Sequence, residues 1–286
     1  MKYIDSFHLP SFDKEARYEF PTKYPFSLYS SRGLFDIYFS NITIFYGGNG
    51  SGKSTLLNLI NSKLNIQRKS SFYHDETFDE YVKMCRIKKS WDDDLDKEKE
   101  IPDNSKIIAS EDIFNYILKI RDKNIKTEEN VKKYIDEYQE AKFSKYNYRS
   151  LKDIDKLSLQ NEARSVTQSE FIRRRTSFIK QFSNGENVLR YFDSELENDG
   201  IYLLDEPENS LSPKFQLELL QLLIDCSRYC DCQFIIATHS PFLLSIPGAK
   251  IYNLDLEVVE TREWTELENV RMYYDFFKKY KDDFEK

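Results

Sequence analysis

The run Gly47-Gly48-Asn49-Gly50-Ser51-Gly52-Lys53-Ser54-Thr55 sets four glycines ahead of a lysine and two hydroxyls. This spacing, G-x-x-x-x-G-K-[ST], lets the backbone curl so that successive N–H groups point at phosphate oxygens. Lys53 then reaches the β- and γ-phosphates of a nucleotide, and Ser54 offers its hydroxyl to a bridging Mg²⁺. Two other clusters suit the same chemistry. Asp205-Glu206 follow the apolar and aromatic run Ile201 to Leu204, so a buried strand would end in two carboxylates. Asp205 can serve the metal and Glu206 an attacking water. Thr238-His239-Ser240 closes the apolar run Phe234 to Ala237 and brings a histidine to the position of a γ-phosphate sensor. Alone, each has a plainer reading: a glycine turn without ligand, two solvated carboxylates, a structural histidine. Together at the ends of apolar runs they describe one site, with Lys53, Glu206 and His239 as catalytic candidates and Ser54 and Asp205 as metal ligands.

Such a site needs strands that stop level with one another. Ile42 to Tyr46 reads as a buried strand entering the glycine turn, and Leu56, Leu57, Leu59, Ile60 and Leu64 give the following helix an apolar face. Ile201 to Leu204 and Phe234 to Ala237 read as central strands of a sheet covered on both faces. Between them Ser212 is a good N-cap and Pro213 a good first helical residue, with Leu217, Leu220 and Ile224 on one face. Strands alternating with helices give an α/β core. Ile251 to Leu254 is expected to be an outer strand, and Asn269 to Lys286 a charged, aromatic helical tail. The stretch from Ser70 to Phe182 has no glycine and carries helical spacing at Ile113, Phe114, Ile117 and Leu118, and at Val131, Tyr134, Ile135 and Tyr138. The expected organisation is one domain: a core lobe from residues 1–69 and 187–286, and a mostly helical subdomain over 70–186.

The bulk numbers narrow the function. A chain of 286 residues suits one large two-lobed domain. A net charge of -7 argues against holding DNA by overall electrostatics. No run of about 18 apolar residues exists to span a membrane, and Met1 to Pro10 lacks the pattern of a secretory signal. A cytoplasmic protein without direct membrane insertion is expected, its four cysteines reduced. Cys226, Cys230 and Cys232 lack the paired spacing of a zinc site. Arg173-Arg174-Arg175, with Arg164 nearby, is either a phosphate or nucleic-acid patch or a helix face turned to acidic groups. Trp91 to Glu100 reads as a solvated charge run.

The order glycine loop, Phe182-Ser183-Asn184-Gly185-Glu186, Leu203 to Pro213 (LLDEPENSLSP), then Thr238-His239-Ser240 resembles the ABC ATPase superfamily. The resemblance covers both ends of the chain but not Ser70 to Phe182. It implies that Gly47 to Thr55 are the Walker A loop, Asp205 the Walker B aspartate, Glu206 the catalytic glutamate and His239 the switch histidine. Ser183 to Glu186 would be the signature and Glu208 to Leu211 the D-loop. ATP and Mg²⁺ are the implied cofactors. The implied assembly is an ATP-dependent homodimer in which Ser183 and Gly185 contact the nucleotide of the opposite subunit. Ser183 and the backbone at Gly185 precede the apolar run Val188, Leu189, Tyr191 and Phe192, where a helix N-terminus can present donors. The signature reads SNGE rather than SGGQ. With the D-loop, it looks more like the RecF, SMC and overcoming-lysogenization-defect groups than like transporter subunits. The expectation is therefore an α/β P-loop NTPase of ABC type, with a mixed sheet core and a helical subdomain carrying the signature. It would hydrolyse ATP to drive an effector partner in DNA repair or anti-phage defence; nucleic acid remains open as a partner. The alternative is the ATP-binding subunit of an ABC transporter. Gln67, Gln160 and Gln168 are candidates for the family's Q-loop glutamine, none with a telling context. Tyr24 and Phe26 lie where an adenine-stacking aromatic is expected, although in so aromatic a chain a core role is favoured.

Overall fold

Short apolar and β-branched runs supply the strands of the computed structural model, which describes residues 2–18, 21–72, 74–143, 154–175 and 183–285. The chain begins with β1 (Ile4–His8), the one-turn helix α1 (Phe12–Glu15), β2 (Asp36–Tyr38) and β3 (Ile42–Tyr46). Helix α2 (Lys53–Leu64) starts inside the glycine loop. It is followed by β4 (Gln67–Arg68), α3 (Glu76–Met84), β5 (Arg86–Lys89), β6 (Trp91–Asp92), β7 (Lys97–Glu98) and β8 (Lys106–Ile108). Three helices come next: α4 (Ser110–Phe143), α5 (Ile154–Ser165) and α6 (Gln168–Arg175). Then follow α7 (Asn184–Glu195), β9 (Ile201–Asp205), α8 (Pro213–Tyr229), β10 (Gln233–Thr238) and α9 (Pro241–Leu244). The chain closes with β11 (Lys250–Asn253), β12 (Glu260–Thr261), α10 (Glu268–Lys279) and α11 (Lys281–Phe284). It forms two compact units, Met1–Phe114 with Asn184–Lys286, and Asn115–Ser183.

The first unit is built on a seven-stranded sheet of order β12-β11-β3-β10-β9-β8-β4. Its pairings are parallel except β11 with β12. β3 and β10 are buried at every residue and β9 at all but Asp205, as a parallel sheet covered on both faces requires. A second sheet pairs β1 antiparallel with β2 and β5. Gln233, fully buried on β10, ties the two sheets together. Its Oε1 accepts from the N–H groups of Tyr3 (2.8 Å) and Ile4 (3.0 Å). Its Nε2 donates to the carbonyls of Ile4 (3.0 Å) and Ser40 (3.1 Å).

Three sequence expectations change. Residues 70–114 are not part of a helical subdomain: they hold α3 and β5 to β8, and β8 pairs in parallel with β9 in the main sheet, next to its edge strand β4. These strands are two to four residues long and several carry exposed charges, so no apolar run announces them. β11 is not outermost, because β12 pairs on its far side. The buried face of α8 runs through Leu219, Leu223 and Cys226; of the expected face Ile224 is buried, while Leu217 is half exposed. Pro213 does open α8 behind an extended Ser212. The tail is helical, and α10 leaves Met272, Tyr273, Phe276 and Phe277 more than half exposed.

In the second unit Tyr138 and Ala141 of α4, Ala163 of α5 and Phe171 of α6 form a small core, with the rings of Tyr138 and Phe171 edge to face at 5.3 Å.

Candidate nucleotide site

Strands β3, β10 and β9 lie side by side, with Thr238 opposite Tyr46 and Ala237 opposite Asp205. The glycine loop, the histidine and the two acids therefore leave the carboxyl ends of three neighbouring parallel strands, the usual ligand edge of such sheets.

The loop is held in shape from outside itself. Gly52 sits at φ +98°, where a side chain would be strained, and a Cβ there would lie 3.2 Å from the Tyr29 hydroxyl. Tyr29 Oη donates to the Gly52 carbonyl at 2.8 Å. Arg32 Nη1 donates to the carbonyls of Ser51 (3.1 Å) and Leu254 (2.7 Å), and the Asp255 carboxylate accepts from Gly48 N–H at 2.9 Å. Lys53, 4% exposed, donates from Nζ to the carbonyls of Gly47 (2.7 Å) and Gly48 (3.0 Å). Ser51 Oγ is buried in the loop without a hydrogen-bond partner among the described residues.

At the strand ends Ser54 Oγ donates to Asp205 Oδ1 at 3.0 Å. Burial pushes the Asp205 carboxyl up to about 6, and the neighbouring carboxylates of Glu206 and Glu111 act in the same direction, against Ser54 and Lys53. Glu206 has a left-handed backbone, φ +46°, and its N–H donates to the Ala237 carbonyl at 2.9 Å. Such a conformation is costly for a residue with a side chain and persists where the surroundings enforce it. Its Oε1 lies 3.7 Å from Lys53 Nζ and 3.7 Å from His239 Nδ1, and its Oε2 accepts from Asn209 Nδ2 at 3.1 Å. Asn269, at the start of α10, donates from Nδ2 to the His239 carbonyl at 2.9 Å. A pocket of about 510 Å³ opens among Gly47, Gly48, Asn49, Glu206, His239 and Asp255.

A second pocket of about 500 Å³ is lined by Tyr24, Thr55, Asn58, Phe72, His74 and Phe78. The Tyr24 hydroxyl meets that of Thr55. Tyr24 is thus 58% exposed at a pocket wall rather than in the core. Phe26 does take the core role, stacked on Tyr18 at 4.4 Å.

Other sequence candidates land elsewhere. Phe182 lies outside the described residues. The boundary between the units passes between Ser183 and Asn184. Gly185 is buried in the first turn of α7, where a Cβ would stand 2.1 Å from the Phe215 ring. Gln67 donates to the Asp103 carbonyl at 3.0 Å, Gln160 is buried in α5 and Gln168 opens α6. Two of the three arginines are engaged: Arg175 of α6 grips Glu162 of α5 at 2.6 and 3.0 Å, and Arg174 meets Glu170 on its own helix at 3.0 Å. Cys85, Cys226 and Cys232 are buried free thiols. Ser6, His8 and Asp36 form a chain of 2.9 and 2.6 Å resembling a hydrolase triad, but Ser6 is 2% exposed, so no substrate carbonyl can approach it. Sequence reasoning missed Tyr29, Arg32, Asp255 and Asn269, single polar residues in loops or at a helix start with no spacing to mark them.

The residues fit a nucleotide with its metal. The loop offers a buried ammonium and an unused buried hydroxyl, and Asp205 is a desolvated carboxylate short of a cation. Together the parallel sheet, the glycine loop and the paired acids form the phosphate-binding edge of an α/β P-loop fold. Residues 108–245 match the family model described as "AAA domain, putative AbiEii toxin, Type IV TA system". A search of curated proteins finds no match to the chain. Among solved structures it is similar to the Smc head domain with an extended coiled coil from Pyrococcus furiosus, bound to the C-terminal domain of ScpA. That likeness has 13% identity, covers 96% of this chain and 100% of the other, and has a TM-score of 0.45. It is also similar to the SMC head domain from Thermotoga maritima (14% identity, 92% and 99% covered, TM-score 0.42). A third is cbiO1 from Clostridium perfringens, part of an ABC transporter complex (19% identity, 98% and 95% covered, TM-score 0.41). No helix among the described residues is long and apolar enough to cross a membrane.

Proposed function

We propose that the chain hydrolyses ATP with Mg²⁺, and that Ser183 and Gly185 of a second copy complete the site. The observation that carries this reading is the convergence on Glu206: a carboxylate on a left-handed backbone, 3.7 Å from both Lys53 and His239 and held by Asn209. The amides of Gly47 to Thr55 and the Lys53 ammonium bind the β- and γ-phosphates. Ser54 and Asp205 would hold Mg²⁺, which would neutralise charge developing on the transferred phosphoryl group. Glu206 accepts a proton from the attacking water at a carboxylate oxygen, and His239 orients the γ-phosphate. Tyr24 and Phe72 supply aromatic walls for the base in the pocket beside Thr55.

The cycle would drive an effector partner, in DNA repair or anti-phage defence; the matched family's description as a toxin of a toxin–antitoxin system accords with a defence setting. The transporter alternative is not favoured. The engagement of Arg174 and Arg175 with glutamates gives the arginine run a structural use that needs no nucleic acid.

The test measures phosphate release and oligomeric state with Mg-ATP. Glu206→Gln should lower release by about 100-fold or more and accumulate an ATP-dependent dimer, which Ser183→Arg should abolish. Absence of turnover by the wild type would overturn the hydrolase reading. A Glu206→Gln protein that binds ATP yet stays monomeric would overturn the homodimer.

A further inference from the structure

Glu208 is 5% exposed, yet among the described residues its carboxylate pairs with no lysine or arginine. One oxygen, Oε1, gathers a fan of donors from the loop after β10. It accepts from Thr238 Oγ1 (2.6 Å), His239 N–H (3.1 Å) and Ser240 N–H (3.2 Å), and His239 Nδ1 lies 3.6 Å away. The other oxygen, Oε2, is buried without a partner among the described residues. A buried carboxylate is costly, and three donors on one atom are what a site provides when the geometry of those donors matters. The same stretch is braced in turn: Asn209 and Leu211 N–H groups bond back to the carbonyls of Glu206 (3.1 Å) and Glu208 (2.9 Å). Ser240 Oγ donates to Gln216 Oε1 of α8 at 2.7 Å, and Gln216 Nε2 donates to the Leu211 carbonyl at 2.9 Å. The segment carrying Glu206 and the segment carrying His239 are thus riveted through one side chain.

We infer that Glu208 is a positioning residue for hydrolysis: it fixes the His239 backbone so that the imidazole stands beside Glu206, and it couples any movement of residues 206–211 to the histidine. This rests on the proposed ATPase reading and goes beyond it, because Glu208 itself need not touch nucleotide. Its charge and its acceptor geometry act through His239 alone.

The experiment is a double-mutant cycle on the full chain with steady-state phosphate release and ATP binding. Glu208→Ala should lower kcat by about tenfold or more while KM for ATP moves less than about threefold. Glu208→Gln, which keeps an oxygen for the three donors, should recover most of that loss. In a His239→Ala background Glu208→Ala should add almost nothing. A second readout needs no turnover: with three histidines in the chain, the His239 imidazole and the Ser240 amide can be followed by NMR in Glu208→Gln and Glu208→Ala. Both signals should move most in Glu208→Ala. A wild-type kcat in Glu208→Ala, a full additional loss on top of His239→Ala, or unmoved His239 and Ser240 signals would each overturn the inference. If the wild type turns over no ATP, the hydrolase reading fails by itself, and the NMR comparison still decides whether Glu208 holds the histidine.

Discussion

Asp205 illustrates a residue kept against its own stability. Its carboxylate is desolvated and stands beside Glu206, so in the nucleotide-free protein the charged form is held at a cost. Asp205→Asn keeps the shape and the contact with Ser54 but removes the charge. The nucleotide-free protein should then melt a few degrees higher, while Mg²⁺-stimulated turnover falls to background. Scanning calorimetry beside a phosphate-release assay checks both halves; a lower melting temperature would mean that the charge is already compensated. Lys53 is the opposite case. It is buried and its Nζ is satisfied by loop carbonyls. Lys53→Met should leave the loop folded and weaken ATP binding by about 100-fold, two powers of ten being an ordinary loss for a buried charge on a phosphate.

At the scale of elements, close approach explains residues that chemistry alone does not. Gly185 lies against Phe215, so α7 and α8 can pack at their observed distance only without a Cβ there. Gly185→Ala should destabilise the protein by roughly 1–3 kcal/mol as an overpacked contact, and Phe215→Leu in the same chain should recover part of it. Urea denaturation measures this, and a loss of turnover in Gly185→Ala alone would therefore not identify a phosphate contact. Gln233 is the counterpart between sheets. Gln233→Leu would leave the Tyr3 and Ile4 N–H groups buried and unpaired, each costing about 1–3 kcal/mol, and the melting temperature should fall accordingly. The placement of the candidate site's loop, acids and histidine was legible in advance, because each ends an apolar run that only a central strand explains. The parts that escaped lack such a frame. β5 to β8 are too short and too charged for periodicity to reveal, and Tyr29, Arg32, Asp255 and Asn269 act through single hydrogen bonds across long sequence separations. The apolar face of α8 was misjudged by a fraction of a turn because leucines surround that helix on several sides.

At the scale of the whole molecule, the sheet order makes the site non-local. β3 delivers the glycine loop, but its two neighbours are β10 and β11, both from the far end of the sequence. A chain ending at Cys232 retains every residue from Gly47 to Thr55 and lacks both neighbours. It is expected to bind no fluorescent ATP analogue, whereas a chain extended through Leu267 regains both strands and Asp255 and should bind. Binding by the shorter chain would show that the loop needs no sheet behind it. The same order governs how the protein is made. Ile42 to Tyr46, a strand buried at every position, is synthesised roughly 190 residues before its first neighbour exists, which at ribosomal speeds is about 10–40 s. Throughout that interval a ribosome carries an apolar strand with no place to pair. Birth of the protein is thus a period of exposure, and cells that produce it in a burst would draw on their chaperones before they gain a single complete copy.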